Sequence, residues 1–251
     1  MENDFSYQFI LPEKSMANFV ENIGMLHNQS DRPKEVVLMP DGRVDLFFLK
    51  SENGPFQILL LGLETIPEKR VIEPKMFAFK ISFKPLAVEY ILQTSIADIL
   101  NRGKNLAEDF WNFSPDDLKN FDSFHKKAIL QLSALLPKNI DLRKEKLFEL
   151  IYQSNGEMKV KDLSERISWS SREINRYFNK QFGLPLQSFC KILRFRASLA
   201  HIAKGKLFPE LNFSDQAHFI KEIKKFSGVA PGELLKNHND RFILLSVMKA
   251  Q

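Results

Sequence analysis

Residues 170–182 concentrate side chains that can read a polyanion. Ser170-Ser171-Arg172-Glu173 places a hydroxyl three residues ahead of a glutamate. In that pattern the serine caps the start of a helix and the glutamate reaches back to the cap. Ile174, Phe178 and Phe182 then recur every four residues and form one apolar face. The opposite face carries Ser171, Arg172, Asn175, Arg176 and Asn179. Arginine presents two donors to a guanine edge and asparagine pairs with adenine, so these five residues are base-contact candidates in a major groove. An ordinary polar helix face would use the same residue types. What separates the two is whether the neighbouring elements hold this helix proud of the surface.

Those neighbours read as helices. Leu142, Leu147, Leu150 and Ile151 mark an amphipathic helix that breaks at Asn155-Gly156. Val160, Leu163 and Ile167 mark a short second helix, followed by a turn at Ile167-Ser168-Trp169 of the length a helix-turn-helix needs. Gly183 ends the reading helix, Pro185 lies just beyond, and a long helix is expected from about Leu186 to Ala203.

The run Ser170–Phe178, then Gln181-Phe182-Gly183-Leu184-Pro185-Leu186, then Leu193-Arg194-Phe195-Arg196-Ala197 resembles the first half of an AraC/XylS-type DNA-binding domain. Residues 213–231, from Phe213-Ser214-Asp215 to Phe226-Ser227-Gly228-Val229-Ala230-Pro231, are similar to its second half. The resemblance implies two helix-turn-helix units joined by the long helix, entering successive major-groove segments on one side of double-stranded DNA. On the second unit the outer positions are Gln216, Ala217, Ile220, Lys221 and Lys224, the first four of them base-contact candidates, with Phe219, Ile223 and Phe226 inside. One departure stands out. Only Lys206-Leu207-Phe208-Pro209-Glu210-Leu211 precedes Asn212-Phe213, too short for the helix usual there, and Asn212 replaces a customary glycine. Pro209 would also break a helix interior. The second unit is therefore expected to dock loosely and to read fewer bases than the first.

Charge agrees with this division. Residues 1–140 hold 16 Lys/Arg against 19 Asp/Glu, a balance of −3, whereas residues 141–251 hold 20 against 12, a balance of +8. A basic half joined to a slightly acidic one suggests that one part meets a polyanion, although a solvated basic face has the same composition. Lys159, Lys161, Lys180, Lys191, Lys224 and Lys225 are the phosphate-contact candidates.

The first 100 residues alternate apolar and polar side chains over short runs. Val36–Met39 and Val44–Leu49 flank Pro40-Asp41-Gly42 and read as two strands with a tight connection; Phe56–Leu61 and Met76–Phe83 read as further strands. Helices are expected near 13–26 and 86–100. A weaker resemblance, carried by residues 39–46 and 79–85, is to the cupin-like sensor domains of some such regulators, and implies a small-molecule effector or a homodimer contact. From Ser114-Pro115-Asp116-Asp117 the period becomes helical, with Leu118, Phe121, Phe124, Ala128, Leu132 and Leu135 on one stripe before Pro137. This helix either connects the halves and joins an oligomer contact, or packs back on the β-domain.

The fold class expected is thus α+β. Residues 1–113 form an N-terminal cupin-like β-sandwich or barrel with flanking helices, 114–140 a connecting helix, 141–237 an all-α double helix-turn-helix domain and 238–251 a tail. His27, His125, His201, His218 and His238 are scattered without paired ligand spacing, so no metal is expected. His218 sits in the second reading helix and suits DNA contact or packing. Asp41 and Asp45 suit a turn and a strand edge rather than catalysis. Cys190 reads as a small buried hydrophobe, and a single cysteine leaves no internal disulfide. No nucleophile elbow or phosphate-binding glycine loop occurs, so neither catalysis nor a cofactor is expected. Without a basic-then-apolar leader or a run long enough to span a bilayer, the expected compartment is the cytoplasm and no membrane partner is expected. Two functions remain: a sequence-specific transcription regulator, or a protein-interaction module whose second DNA-binding unit has decayed.

Overall fold

Phe77–Phe83 is an alternating strand with apolar residues on both faces, which calls for a neighbour along each edge and cover above and below. The structure, a computed structural model, describes residues 4–52, 54–209 and 213–249. Its strands are β1 (Phe5–Ile10), β2 (Val20–Asn28), β3 (Lys34–Leu38), β4 (Val44–Lys50), β5 (Gln57–Leu61), β6 (Glu68–Ile72), β7 (Phe77–Phe83) and β8 (Gly103–Asn105). An antiparallel sheet runs in the order β1-β2-β7-β4-β5-β8, with β7 near its centre, while β3 and β6 form a separate two-stranded sheet.

The helices are α1 (Leu86–Tyr90), α2 (Phe121–Leu135), α3 (Leu142–Gln153), α4 (Val160–Ile167), α5 (Ser171–Phe182), α6 (Leu186–Ala203), α7 (Gln216–Ser227), α8 (Pro231–Lys236) and α9 (Ile243–Lys249). The chain folds into two compact units. A sheet unit comprises Met1–Lys34, Arg43–Leu63 and Val71–Asp141; a helical unit comprises Glu35–Gly42, Glu64–Arg70 and Leu142–Gln251. The expected α+β class, with an N-terminal antiparallel sheet and a C-terminal helical region, is what the chain forms.

Several local expectations are corrected. The segment near 13–26 is not a helix but a 3-10 turn at Lys14–Met16 followed by β2. Val20, Ile23 and Leu26 imitate a helical period. A bulge between Val20 and Asn22 shifts the phase, so Val20 and Ile23 pair with Phe83 and Ile81 on one face. The two strands around Pro40-Asp41-Gly42 do not pair with each other: both edges of β4 are taken by β5 and β7, and β3 pairs with β6. Asp45 consequently lies on an interior strand, where its carboxylate meets the Lys80 ammonium at 2.9 Å. Only Leu86–Tyr90 and a 3-10 turn at Ala97–Ile99 are helical within 86–100, with Gln93 at φ 51 between them.

The helix expected from Ser114 divides in two. Ser114 and Asp117 form a capping box, but on a 3-10 turn at Pro115–Leu118. Asn120 then caps α2, its side chain accepting from the Ser123 amide at 2.9 Å. The apolar stripe packs back on the sheet rather than away from it. Phe124 stands 5.2 Å from Phe48, 5.0 Å from Phe79 and 5.5 Å from Phe113, ring centre to ring centre. Phe48, Phe79 and Phe124 are fully buried.

Within the helical unit, residues 35–42 and 64–70 pack on the helices. The Val37 amide donates to the Arg241 carbonyl at 2.7 Å. Gly42 has φ +74, and a Cβ there would lie 3.0 Å from Leu193 and 3.2 Å from Phe189, so any other residue would be strained at this turn against α6. Residues 238–251, read from sequence as a tail, carry α9. Its start is held by buried Asn237, which donates to the Ser246 hydroxyl at 2.7 Å and accepts from the Phe242 amide at 2.9 Å.

Because Phe124 is fully buried on α2 and meets three other rings, Phe124→Ala should lower unfolding free energy by about 3–5 kcal/mol. Urea unfolding of the full chain, followed by fluorescence, checks this. A loss under about 1 kcal/mol would show that the cluster does not hold α2.

Candidate nucleic-acid interface

Helix α5 is built from its core outward. On α5 the residues Ile174, Phe178 and Phe182 are fully buried. Phe148 of α3 meets Phe178 at 5.7 Å and Phe182 at 6.1 Å, and Phe189 of α6 meets Phe178 at 5.6 Å. Three helices thus share one aromatic core. Ahead of α5, α4 ends at Ile167 with Ser168 in the left-handed region, φ 53. The Ser170 cap forms as its spacing predicts. Its hydroxyl and amide donate to the Glu173 carboxylate at 2.6 and 2.9 Å, and the Glu173 amide donates back to the hydroxyl at 3.2 Å. These bonds from Ser170 hold the Glu173 carboxyl below the usual glutamate range. The helix closes at Gly183, φ 76.

The outer side of α5 exposes Arg172, Arg176, Asn179 and Lys180. Arg172, Arg176 and Lys180 recur every four residues and therefore lie in one row along the helix. Asn175 faces differently. It is half-buried, its amide nitrogen donates to the Ser171 carbonyl at 3.0 Å, and its amide oxygen accepts from the Leu186 amide at 3.3 Å. Asn175 thus ties α5 to the first turn of α6. Half-buried Ser171 lies on the same flank, and the Asn179 side chain donates to the Asn175 carbonyl at 2.9 Å.

On the second unit, α7 buries Phe219, Ile223 and Phe226 and exposes Gln216, Ala217, Ile220, Lys221 and Lys224. Asp215 caps it, accepting from the His218 amide at 2.8 Å, a bond that lowers the Asp215 carboxyl below its usual range. Gln216 is partly occupied, since its side chain donates to the Leu207 carbonyl at 2.9 Å. His218 is half-buried, stands edge-on to Phe213 at 5.6 Å, and accepts from the Ser214 amide at 3.3 Å, so it serves packing and capping. Residues 204–209 form no helix. The Glu210-Leu211-Asn212 departure noted in the sequence lies outside the described residues. Support for α7 comes instead from Phe195 of α6, 5.2 Å from Phe226, and from Phe213, 5.2 Å from Phe219.

Among the phosphate candidates, Lys159, Lys161, Lys180, Lys224 and Lys225 are exposed and Lys191 is half-buried on α6. Lys161 stands 4.0 Å from Glu165, and the Lys225 ammonium lies 4.9 Å from the Phe226 ring. Cys190 is buried, and burial pushes its thiol up to about 12, which keeps it protonated and inert. Sequence reasoning passed over Arg143 and Lys144, which stand beside α5 on the rings of Trp169 and Tyr177. Their aromatic partners lie more than twenty residues away, so no local spacing marks them.

Residues 8–104 match a family described as a domain of unknown function, DUF6597. No curated protein matches the chain. Solved structures of ToxT from Vibrio cholerae are similar in outline. The O395 structure covers 94% of this chain and 98% of its own at TM-score 0.47 and 10% identity. The O395 protein bound to (E)-4-(8-methylnaphthalen-1-yl)but-3-enoic acid covers 85% and 98% at TM-score 0.46 and 13% identity. The unsaturated fatty acid bound wild-type protein of strain SCE256 covers 83% and 96% at TM-score 0.43 and 13% identity.

The chain resembles an AraC/XylS-type regulator. The resemblance lies in the motif residues as the structure places them: a short helix, a turn at Ser168, a capped α5, the Gly183 stop and the long α6. Asn175 is the joint between α5 and α6. Asn175→Ala should therefore cost about 1 kcal/mol of stability and weaken preferred and random duplexes alike. Thermal unfolding together with binding to both duplexes checks this; a loss confined to the preferred duplex would make Asn175 a base reader.

Proposed function

We propose that the chain is a sequence-specific DNA-binding transcription regulator of a bacterial cytoplasm. The observation that carries the reading is the exposed row Arg172, Arg176 and Lys180 on a helix whose opposite face is locked into an aromatic core. A helix held in this way presents its donors in fixed directions, as hydrogen bonding to base edges requires. The basic C-terminal half supplies the sequence-independent attraction to phosphate.

The two reading helices are unequal in this proposal. α5 sets specificity, because Arg172 and Arg176 are suited to guanine edges. α7 presents Ala217, Ile220, Lys221 and Lys224, a set suited more to apolar and phosphate contact than to base hydrogen bonds. For the sheet unit we propose the regulatory part, through a small-molecule effector or homodimer formation.

Selection of bound sequences from random duplexes by the full chain tests the reading. Arg176→Ala should cost about 1–3 kcal/mol on the selected site and relax one position, while Lys221→Ala and Lys224→Ala should weaken all sequences uniformly. Affinity should fall steeply between about 50 and 200 mM salt. A flat salt response would remove the DNA reading in favour of a protein-interaction module. Two half-sites of equal information content would show α7 to be the equal of α5.

A further inference from the structure

Two cations stand where helix electrostatics disfavour them. Arg143 and Lys144 occupy the first turn of α3, beside the positive end of its dipole, where acids rather than bases are stabilising. Aromatic faces hold both. The Arg143 guanidinium lies 5.3 Å from the Trp169 ring centre and the Lys144 ammonium 5.0 Å from that of Tyr177. The two rings pack on each other at 5.5 Å. Tyr177 in turn meets Phe178 and Phe182 edge-on at 5.8 and 5.6 Å. The cations are thus referenced to the same aromatic core that fixes α5. Arg143 also acts on the Glu173 carboxylate, although the stronger influence there is the pair of bonds from Ser170.

Their position relative to α5 gives them a use. A helix with its side chains is roughly 10–12 Å across and nearly fills a major groove about 12 Å wide, so groups at its flanks face the sugar–phosphate walls. One flank of α5, at Asn175, is turned to α6. The other, at Glu173 and Tyr177, is where Arg143 and Lys144 stand. A guanidinium held against an indole face has fewer orientations open to it, and a restricted donor loses less freedom on binding.

We propose that Arg143 and Lys144, held on Trp169 and Tyr177, form a phosphate clamp on one wall of the groove that α5 enters. The proposal rests on the DNA-binding reading of α5 and adds residues outside both helix-turn-helix units. Two adjacent cations, each on an aromatic face beside α5, are the juxtaposition that carries the proposal.

The test uses the full chain, the duplex selected by the wild type, and a scan in which single phosphates are replaced by neutral methylphosphonates. The double variant Arg143→Gln/Lys144→Gln should reduce the salt slope by about one per lost charge and leave base preference unchanged. Methylphosphonates that weaken wild-type binding on one wall of the groove should cost the double variant nothing, because the charge they would have met is gone. Trp169→Leu keeps apolar cover but removes the indole face, and should weaken all duplexes alike. Thermal unfolding of the double variant should stay close to the wild type, because relief of the helix-start repulsion and loss of the ring contacts oppose each other. Methylphosphonate costs that are the same in variant and wild type would overturn the clamp. If Arg176→Ala still abolished selectivity, the DNA reading would stand without it. Wild-type chain that binds no duplex at any salt would overturn both.

Discussion

The contact of Phe148, Phe178, Phe182 and Phe189 governs what the helical unit can do, since α3, α5 and α6 all meet there. Ring pairs at these separations prefer tilted or edge-on arrangements, so the core sets the rotation of α5 about its own axis as well as its position. Rotation is the quantity that matters for a reading helix. With Phe178 and Phe182 inward, Arg172 and Arg176 can only point out, and Asn175 can only face α6. Turning the helix by two residues, roughly half a turn, would bury a guanidinium and expose a phenylalanine, and both changes are unfavourable.

The ends of α5 reinforce the same constraint. Ser170 and Glu173 satisfy donors at its start, and Gly183 in the left-handed region closes its end. Asn175 then uses both ends of its amide, one on α5 and one on the start of α6. A residue type suited to reading adenine has been taken up by the junction that orients its neighbours. Helix α7 is capped in a parallel way by Asp215 and Gly228, yet its inner face rests on α6 and on Phe213. The units differ both in the side chains each helix exposes and in what stands behind it.

In the sheet unit the corresponding constraint is the pairing of β7 on both edges. With β2 and β4 as its neighbours, Phe79 and Phe48 are brought to one face, and α2 covers them through Phe121 and Phe124. The apolar stripe on α2 is therefore consumed by the sheet. What it leaves outward is a groove lined by Ile10, Leu11, Ile129 and Leu130, with Glu13, His125 and Lys126 alongside.

Local patterns determined much of the helical half. The capping box at Ser170, the four-residue period of Ile174, Phe178 and Phe182, and the Gly183 stop each depend on residues within one or two turns, so their spacing alone was sufficient. Sequence also showed that the bases concentrate after residue 140 and that Cys190 is a core residue. Tertiary structure decided the rest, because the deciding partners are distant in the chain. The bulge in β2 is visible only against β7, and it turned a helix-like spacing into a strand. The pairing of β3 depended on β5 and β7 having already taken both edges of β4. Asn175 became a joint between α5 and α6 only when the Leu186 amide came within reach of it. Arg143 and Lys144 were set apart only when folding brought Trp169 and Tyr177 beside them. Composition and period are properties of a segment, whereas a side chain's role is set by whichever polar or aromatic group folding brings within a few ångströms of it.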